Sequence, residues 1–104
     1  MSNQTKPTDY GYGNELNQGI EDDAATLANV LNEPQNADIK ANLVNFPRGT
    51  SLQWEFGNDF DEAQHERWNT IEFSVDQRGH SGFSWYLVMR RCRELLLAAQ
   101  ETTL

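Results

Sequence analysis

Two histidines are the first side chains in this sequence to consider for acid–base chemistry. His65 has Glu62 and Glu66 nearby, and His80 is followed by Ser81. A catalytic histidine needs an orienting partner and a nucleophile or substrate beside it, and neither neighbourhood has the spacing of a known catalytic motif. We therefore predict that the chain is not an enzyme. A small enzyme that uses His65 or His80 stays open as the last of three functional hypotheses.

Cys92 is the single cysteine, so the chain can form neither an internal disulfide nor a metal site built from cysteines. It lies within an apolar stripe, where a thiol acts as a small buried hydrophobe and is a poor nucleophile with a raised pKa. An unpaired thiol fits a reducing compartment. The sequence shows no signal-like segment and no apolar run of membrane-spanning length, and we predict a cytoplasmic protein.

Acidic residues are dense between 58 and 66, which raises the question of a calcium loop. Such a loop needs glycine at its sixth position and glutamate at its twelfth. Counting from Asp59, these positions hold Gln64 and Thr70, and the register that begins at Asn58 fails in the same way. No glycine-rich phosphate loop is present. The sequence therefore predicts no metal and no cofactor.

The net charge of −8 comes from sixteen acidic and eight basic residues. This sign disfavours direct binding to nucleic acid or to an anionic membrane, where Lys and Arg must neutralise phosphates. It favours long-range attraction to a basic protein partner. The acidity belongs to the first two thirds of the chain, since residues 1–66 carry twelve of the acids and three of the bases.

Apolar residues recur at helical spacing towards both ends of the chain. The first stripe comprises Leu16, Ile20, Ala24, Leu27 and Leu31. It predicts a helix over about residues 20–32 that Pro34 stops. The second stripe comprises Trp85, Val88, Met89, Cys92, Leu95, Leu96 and Ala99. It predicts a helix from residue 83 or 84 onward, although residues 83–88 are also β-prone and leave a fourth strand open.

Between these helices the apolar period changes to two, which is typical of strands with one buried face. Residues 39–46, 51–56 and 70–75 are the three predicted strands. The apolar face would carry Leu52, Trp54 and Phe56 from the second strand and Ile71, Phe73 and Val75 from the third. The predicted fold class is therefore α+β, with two layers and the element order α-β-β-β-α. A three-stranded antiparallel sheet would carry both helices on one face.

The polar segment 1–13 contains Pro7, Gly11 and Gly13, and we predict a disordered tail before one domain over residues 14–104. Tyr10 and Tyr12 are its exceptions, and the alternatives are that both rings pack on the domain or that they belong to a contact with a partner. The element order also occurs in double-stranded-RNA-binding domains. Those domains carry a basic cluster at the start of their second helix, where this chain has residues 80–84, so RNA binding is not predicted.

The predicted sheet would gather carboxylates from its second strand, the following connection and its third strand. These candidate partner-binding residues are Glu55, Asp59, Asp61, Glu62, Glu66 and Glu72. Trp68 shares strand parity with Glu72, and Phe60 lies in the acidic connection. Both aromatic residues are candidate hot spots beside the acids. The alternative is that both side chains tuck under the loop.

These features indicate a small acidic protein that inhibits a partner protein by occupying a basic site on it. That site could be one that the partner uses to bind nucleic acid. In general character the chain resembles DNA mimics, toxin-immunity proteins and the anti-restriction or anti-CRISPR proteins of phages and bacteria, which are small, acidic and without motifs. The second hypothesis is an acidic adaptor that resembles secretion chaperones. It would form a homodimer through the stripe Trp85–Ala99.

Overall fold

The computed structural model of the protein describes residues 9–102. Within this range the chain folds into α-helices and contains no strand. The helices are α1 (Asn14–Leu31), α2 (Ala37–Val44), α3 (Leu52–Glu55), α4 (Glu62–Val75) and α5 (Gly82–Thr102), with a 3₁₀ turn at Pro34–Asn36. The predicted α+β class, its sheet and the open fourth strand are therefore wrong. The predicted helices near the two ends of the chain are confirmed.

Helices α1 and α5 pack along each other and form the centre of the core. On α1, the fully buried side chains are Ile20, Ala24, Leu27 and Leu31. On α5, the predicted stripe buries Trp85, Val88, Met89, Cys92 and Leu96. Each large apolar side chain removed from water contributes about 1.5–3 kcal/mol. Neither α5 nor any other helix of residues 9–102 combines the length and apolar character that crossing a membrane requires, and the cytoplasmic location stays a prediction.

The first predicted strand, residues 39–46, is mostly helix α2. Ile39 and Leu43 are both fully buried and lie one helical turn apart, and Phe46 follows after three more residues. Spacings of four and three place side chains on one helix face. The apolar residues of this segment therefore fit a helix, and the interpretation as a strand was wrong.

The third predicted strand, residues 70–75, is the second half of α4. The buried residues of this helix are Trp68, Ile71 and Val75, at spacings of three and four. Phe73 lies about 200° around the helix from Ile71, and its side chain is 83% exposed. Both alternation and helical spacing place Ile71 and Val75 on the buried side. The two patterns differ at Phe73, which alternation places in the core and helical spacing places in solvent.

A capping box begins α4 and is the sequence signal that the strand interpretation missed. The Asp61 carboxylate accepts a hydrogen bond from the Gln64 backbone N–H at 2.8 Å, and the Gln64 side-chain oxygen accepts one from the Asp61 N–H at 2.9 Å. This reciprocal pair satisfies two donors that a helix start leaves without partners. The order Asp-Glu-Ala-Gln before Trp68 therefore indicates a helix start.

The second predicted strand, residues 51–56, contains the four-residue helix α3. Leu52 is buried, but the Trp54 side chain is 76% exposed, so the predicted core position of Trp54 was wrong. After α3, the Phe56 ring contacts Phe60 and Trp68 edge-on, with ring centroids 5.3 and 4.9 Å apart. This arrangement is favourable for aromatic pairs and fixes the turn between α3 and α4.

The chain before α1 packs against that helix. The Asn17 side-chain N–H donates to the Tyr12 backbone oxygen at 2.8 Å, and the Tyr10 hydroxyl donates to the Glu21 carboxylate. Burial, together with this contact to Glu21, raises the pKa of Tyr10. Tyr10 and Tyr12 therefore pack on the domain, as the alternative to a disordered tail predicted. The predicted disorder of residues 1–8 lies outside the described residues.

Candidate functional site

The outward side of α4 carries an exposed row of side chains. Glu62, Glu66, Asn69 and Phe73 follow one another at spacings of four, three and four, and all are exposed. Residues at these spacings lie on one helix face, so the row runs along α4 for about 16 Å. We name these four residues the α4 stripe.

The chain that leads into α4 adds further exposed carboxylates, from Glu55, Asp59 and Asp61. Together with the two acids of the α4 stripe they form a set that we name the acidic face. The acidic face consists of Glu55, Asp59, Asp61, Glu62 and Glu66. All five were predicted as partner-binding residues, and the structure keeps them exposed on the helices α3 and α4 and the turn between them.

The acidic face is uncompensated. Within residues 9–102, none of its five carboxylates takes part in an ion pair. Some acids elsewhere are paired, as Asp38 is with Arg67 at 2.6 Å and Glu21 is with Arg91 at 3.1 Å. Others outside the face are exposed and also make no ion pair within residues 9–102, namely Asp9, Glu15, Glu33 and Glu101. Hydrogen bonds from Arg67 and Gln64 lower the pKa of Asp38 to about 2. The acidic face differs from the other unpaired acids because its five carboxylates lie within residues 55–66, a segment without Lys or Arg, so negative potential is concentrated there.

Three of the predicted partner-binding residues are placed elsewhere. Phe60 and Trp68 are each 9% exposed and belong to the core, as in the alternative in which both tuck under the loop. Glu72 is half-buried and lies about 100° around α4 from Phe73. Burial and the nearby Asp76 carboxylate raise the pKa of Glu72. It therefore does not belong to the acidic face.

Phe73 is the aromatic candidate that the strand interpretation missed. Its ring is in water at the end of the α4 stripe, in line with Glu62 and Glu66. An exposed aromatic side chain is the kind of residue that dominates binding energy when a partner covers it. The capping box of α4, followed by a helical rather than alternating register, is the sequence signal that could have found it.

A second cluster is buried and joins α1 to the α4–α5 loop. The Asp23 side chain is 6% exposed, and its two oxygens lie 2.7 Å from His80 Nε2 and 3.0 Å from an Arg78 terminal nitrogen. Arg78 reaches Asp23 by crossing α1 at Gly19. A Cβ atom at Gly19 would lie 2.6 Å from the Arg78 Cδ atom, so the glycine makes this crossing possible.

This cluster has the chemistry of a structural tie. The His80 side chain is fully buried. Its Nε2 atom is bound to Asp23, and its Nδ1 atom has no hydrogen-bond partner among residues 9–102. Ligand atoms of Asp23, Asp76 and His80 lie within 4.8 Å of one another, but the Arg78 guanidinium on Asp23 opposes the approach of a cation. Neither nitrogen of the His80 ring reaches solvent, where a substrate would be.

His65 and the α5 stripe bear on the two other hypotheses. The His65 ring is exposed and lies edge-on to Phe60, with centroids 5.6 Å apart. No contact with a nucleophile accompanies it among the described residues, so the enzyme hypothesis gains no geometric support. The residues Trp85, Val88 and Leu96 of α5 are buried inside the chain itself. The apolar stripe of α5, which favoured a dimeric adaptor, therefore packs in the core of a single chain.

The Cys92 thiol should be unreactive in the folded protein. Its side chain is fully buried, and burial raises its pKa to about 12. The thiolate is the reactive form of cysteine, and a raised pKa leaves little thiolate at pH 8. We therefore expect the aromatic disulfide reagent DTNB to react at least about 100-fold more slowly with the folded protein than with protein unfolded in guanidinium. Equal rates before and after unfolding would contradict this burial.

No protein-family model, curated protein or solved structure matches this chain. The α4 stripe, the acidic face and the buried cluster are the features on which a functional proposal can be based. Two of the three are exposed, and the third is internal.

Proposed function

We propose that this protein binds a basic site on a partner protein through the acidic face and Phe73, and that it inhibits the partner by occupying that site. The observation that supports this most is the alignment on α4. Glu62 and Glu66, which have no ion-pair partner within residues 9–102, lie in one row with the exposed ring of Phe73.

The two kinds of side chain would contribute differently to binding. Removing the Phe73 ring from water stabilises a complex by about 1.5–3 kcal/mol. Carboxylates accelerate the encounter with a basic surface and exclude acidic competitors. A charged face without an apolar anchor would steer partners without retaining them.

The face is also preorganised, which lowers the entropy cost of binding. The capping box at Asp61 fixes the first turn of α4, and the ring contacts of Phe56, Phe60 and Trp68 fix the preceding turn. The acids therefore lie on a helix and turn that need little ordering when a partner arrives.

The proposal is tested with the wild-type protein and two variants of equal net charge as baits. In the face variant, E55Q, D59N, E62Q and E66Q neutralise four acids, while Asp61 is kept because it caps α4. In the control variant, the changes neutralise four exposed acids outside the face. These changes are D9N, E15Q, E33Q and E101Q. Each bait captures proteins from a lysate of the source organism at low salt and at about 0.5 M salt, which screens exposed charges beyond about 4 Å.

We expect the wild-type and control baits to capture the same basic protein at low salt, and the face variant to lose it. With that protein purified, neutralising the face should slow association about 10-fold or more, because attraction between opposite charges sets the encounter rate. Phe73→Ala should instead accelerate dissociation, since it removes an apolar contact. Equal capture by all baits, or a partner that high salt does not release, would refute the proposal.

A further inference from the structure

A groove separate from the acidic face runs between residues 47–54, which are a loop and the start of α3, and residues 83–97 of α5. It consists of two parts with volumes of about 380 and 490 Å³. Both parts are lined by Gly49, Thr50 and Tyr86, so they are continuous. The groove shares no lining residue with the acidic face or the α4 stripe.

One half of the groove is aromatic. Trp54 and Phe83 line it, and their side chains are 76% and 60% exposed. The Phe83 ring stacks on Tyr86, with centroids 5.8 Å apart and the planes 28° from parallel. Large apolar side chains that remain in water beside one another mark surfaces that a partner covers.

The other half of the groove is basic. Arg48 is exposed and makes no ion pair or hydrogen bond within residues 9–102, and Arg90 is 58% exposed, with only a distant contact of 3.9 Å to Glu94. The Glu94 carboxylate also lines this half of the groove and contacts Arg91 at 3.2 Å. The half is basic because it contains three arginines and this one acid. Two guanidinium groups thus present open donors on a chain whose net charge is −8.

The third arginine of the groove is structural. Arg93 donates hydrogen bonds to the backbone oxygens of Leu43 and Phe46, at 3.2 and 3.1 Å. These bonds attach the end of α2 and the start of the loop to α5. The basic half of the groove therefore has a fixed floor, above which Arg48 and Arg90 are available to a ligand.

We propose that this groove binds a peptide segment of a partner protein in which a large apolar side chain is flanked by carboxylates. The apolar side chain would lie on Trp54 and Phe83, and the carboxylates would accept hydrogen bonds from Arg48 and Arg90. A guanidinium matches a carboxylate in shape and charge, with two parallel N–H donors for two oxygens. Charge complementarity selects this occupant, because the groove is basic on an otherwise acidic protein.

A nucleic-acid strand fits these observations less well than a peptide does. Aromatic and arginine side chains also bind single strands, but affinity for a polyphosphate grows with the number of phosphates neutralised. Of the three arginine side chains in the groove, only those of Arg48 and Arg90 make no hydrogen bond to the backbone within residues 9–102. The acidic remainder of the chain repels the phosphates that extend beyond the groove. A peptide with a few carboxylates needs no more positive charge than the groove provides.

The test uses a fluorescein-labelled peptide of about 12 residues, which spans at most about 40 Å when extended. It has Leu-Phe at its centre and Asp and Glu on both sides. Two matched peptides replace Leu-Phe by Ala-Ala or the acids by their amides. Fluorescence anisotropy gives the dissociation constants. We expect the first peptide to bind at least about 10-fold more tightly than either matched peptide, because both halves of the groove contribute.

Two protein variants and their controls locate the binding. Trp54→Ala and Arg48→Gln should each weaken peptide binding about 10-fold. Phe73→Ala, which removes an exposed ring outside the groove, and Lys40→Gln, which removes the same charge outside it, should leave the dissociation constant unchanged. This pattern is independent of the acidic face, so failure of either proposal does not affect the other.

Four results would overturn the peptide proposal. Peptide binding that is weaker than about 1 mM, or that Trp54→Ala and Arg48→Gln do not change, would show that the groove is not a docking site. Tighter binding of a labelled oligothymidine would identify a single-stranded nucleic acid as the occupant. A mass in solution that rises with concentration and returns to that of one chain in Trp54→Ala would identify a second copy of this protein.

Discussion

Replacing Trp68 with alanine should lower the free energy of unfolding by about 4 kcal/mol, whereas the same replacement at Trp54 should change it by less than about 0.5 kcal/mol. The Trp68 ring is buried against Phe56 and Trp85, with centroids 4.9 and 6.3 Å away. Its removal leaves a cavity, and Phe56 and Trp85 each lose one ring contact. Trp54 loses little, because most of its side chain is already in water.

This pair of variants distinguishes the helical fold from the sheet that period-two spacing predicts. In the sheet, Trp54 is a core residue and Trp68 is on the open face, so the two effects would be exchanged. Unfolding in urea, followed by far-ultraviolet circular dichroism, measures both free energies without relying on the replaced fluorophores. A larger loss at Trp54 than at Trp68 would contradict the structure described above.

The sequence was sufficient for the two longest helices because their apolar stripes extend over four or more turns. Over such a length, helical spacing and alternation cannot both be satisfied. The middle of the chain has shorter stripes. Ile71 and Val75 satisfy both patterns, and only the burial of Trp68 and the exposure of Phe73 separate the two. The capping box at Asp61 is visible in the sequence, and it is a local signal that favours a helix over residues 62–75.

The same ambiguity decided how much of the candidate site could be predicted. The acids of residues 55–66 are exposed in either fold, because charged side chains stay in water, and their uneven distribution along the chain was visible. Aromatic exposure depends on the register, so Phe73 was missed. The contact between Asp23 and His80 joins residues 57 positions apart, and no periodicity along the sequence connects them.

Replacing Asp23 with alanine should lower the free energy of unfolding by about 3 kcal/mol, while the same change at the neighbouring Asp22 should cost less than about 0.5 kcal/mol. Alanine raises the helix propensity equally at both positions. The difference between the two free energies of unfolding therefore measures the tertiary contacts of Asp23. Asp23 is buried on His80 and Arg78, whereas Asp22 is exposed and lies 3.6 Å from Arg78.

The size of the effect at Asp23 follows from what the alanine leaves behind. The His80 Nε2 atom would remain buried without an acceptor, and a buried polar group that loses its partner costs about 1–3 kcal/mol. Removing one partner of a buried charged pair costs about 3–5 kcal/mol, and the half-exposed Arg78 keeps the value at Asp23 near the lower limit. Since a domain of this size is stable by about 5–15 kcal/mol, the variant should stay folded in water and unfold at a much lower urea concentration. Equal midpoints for the Asp22 and Asp23 variants would show that the buried cluster does not tie α1 to the α4–α5 loop.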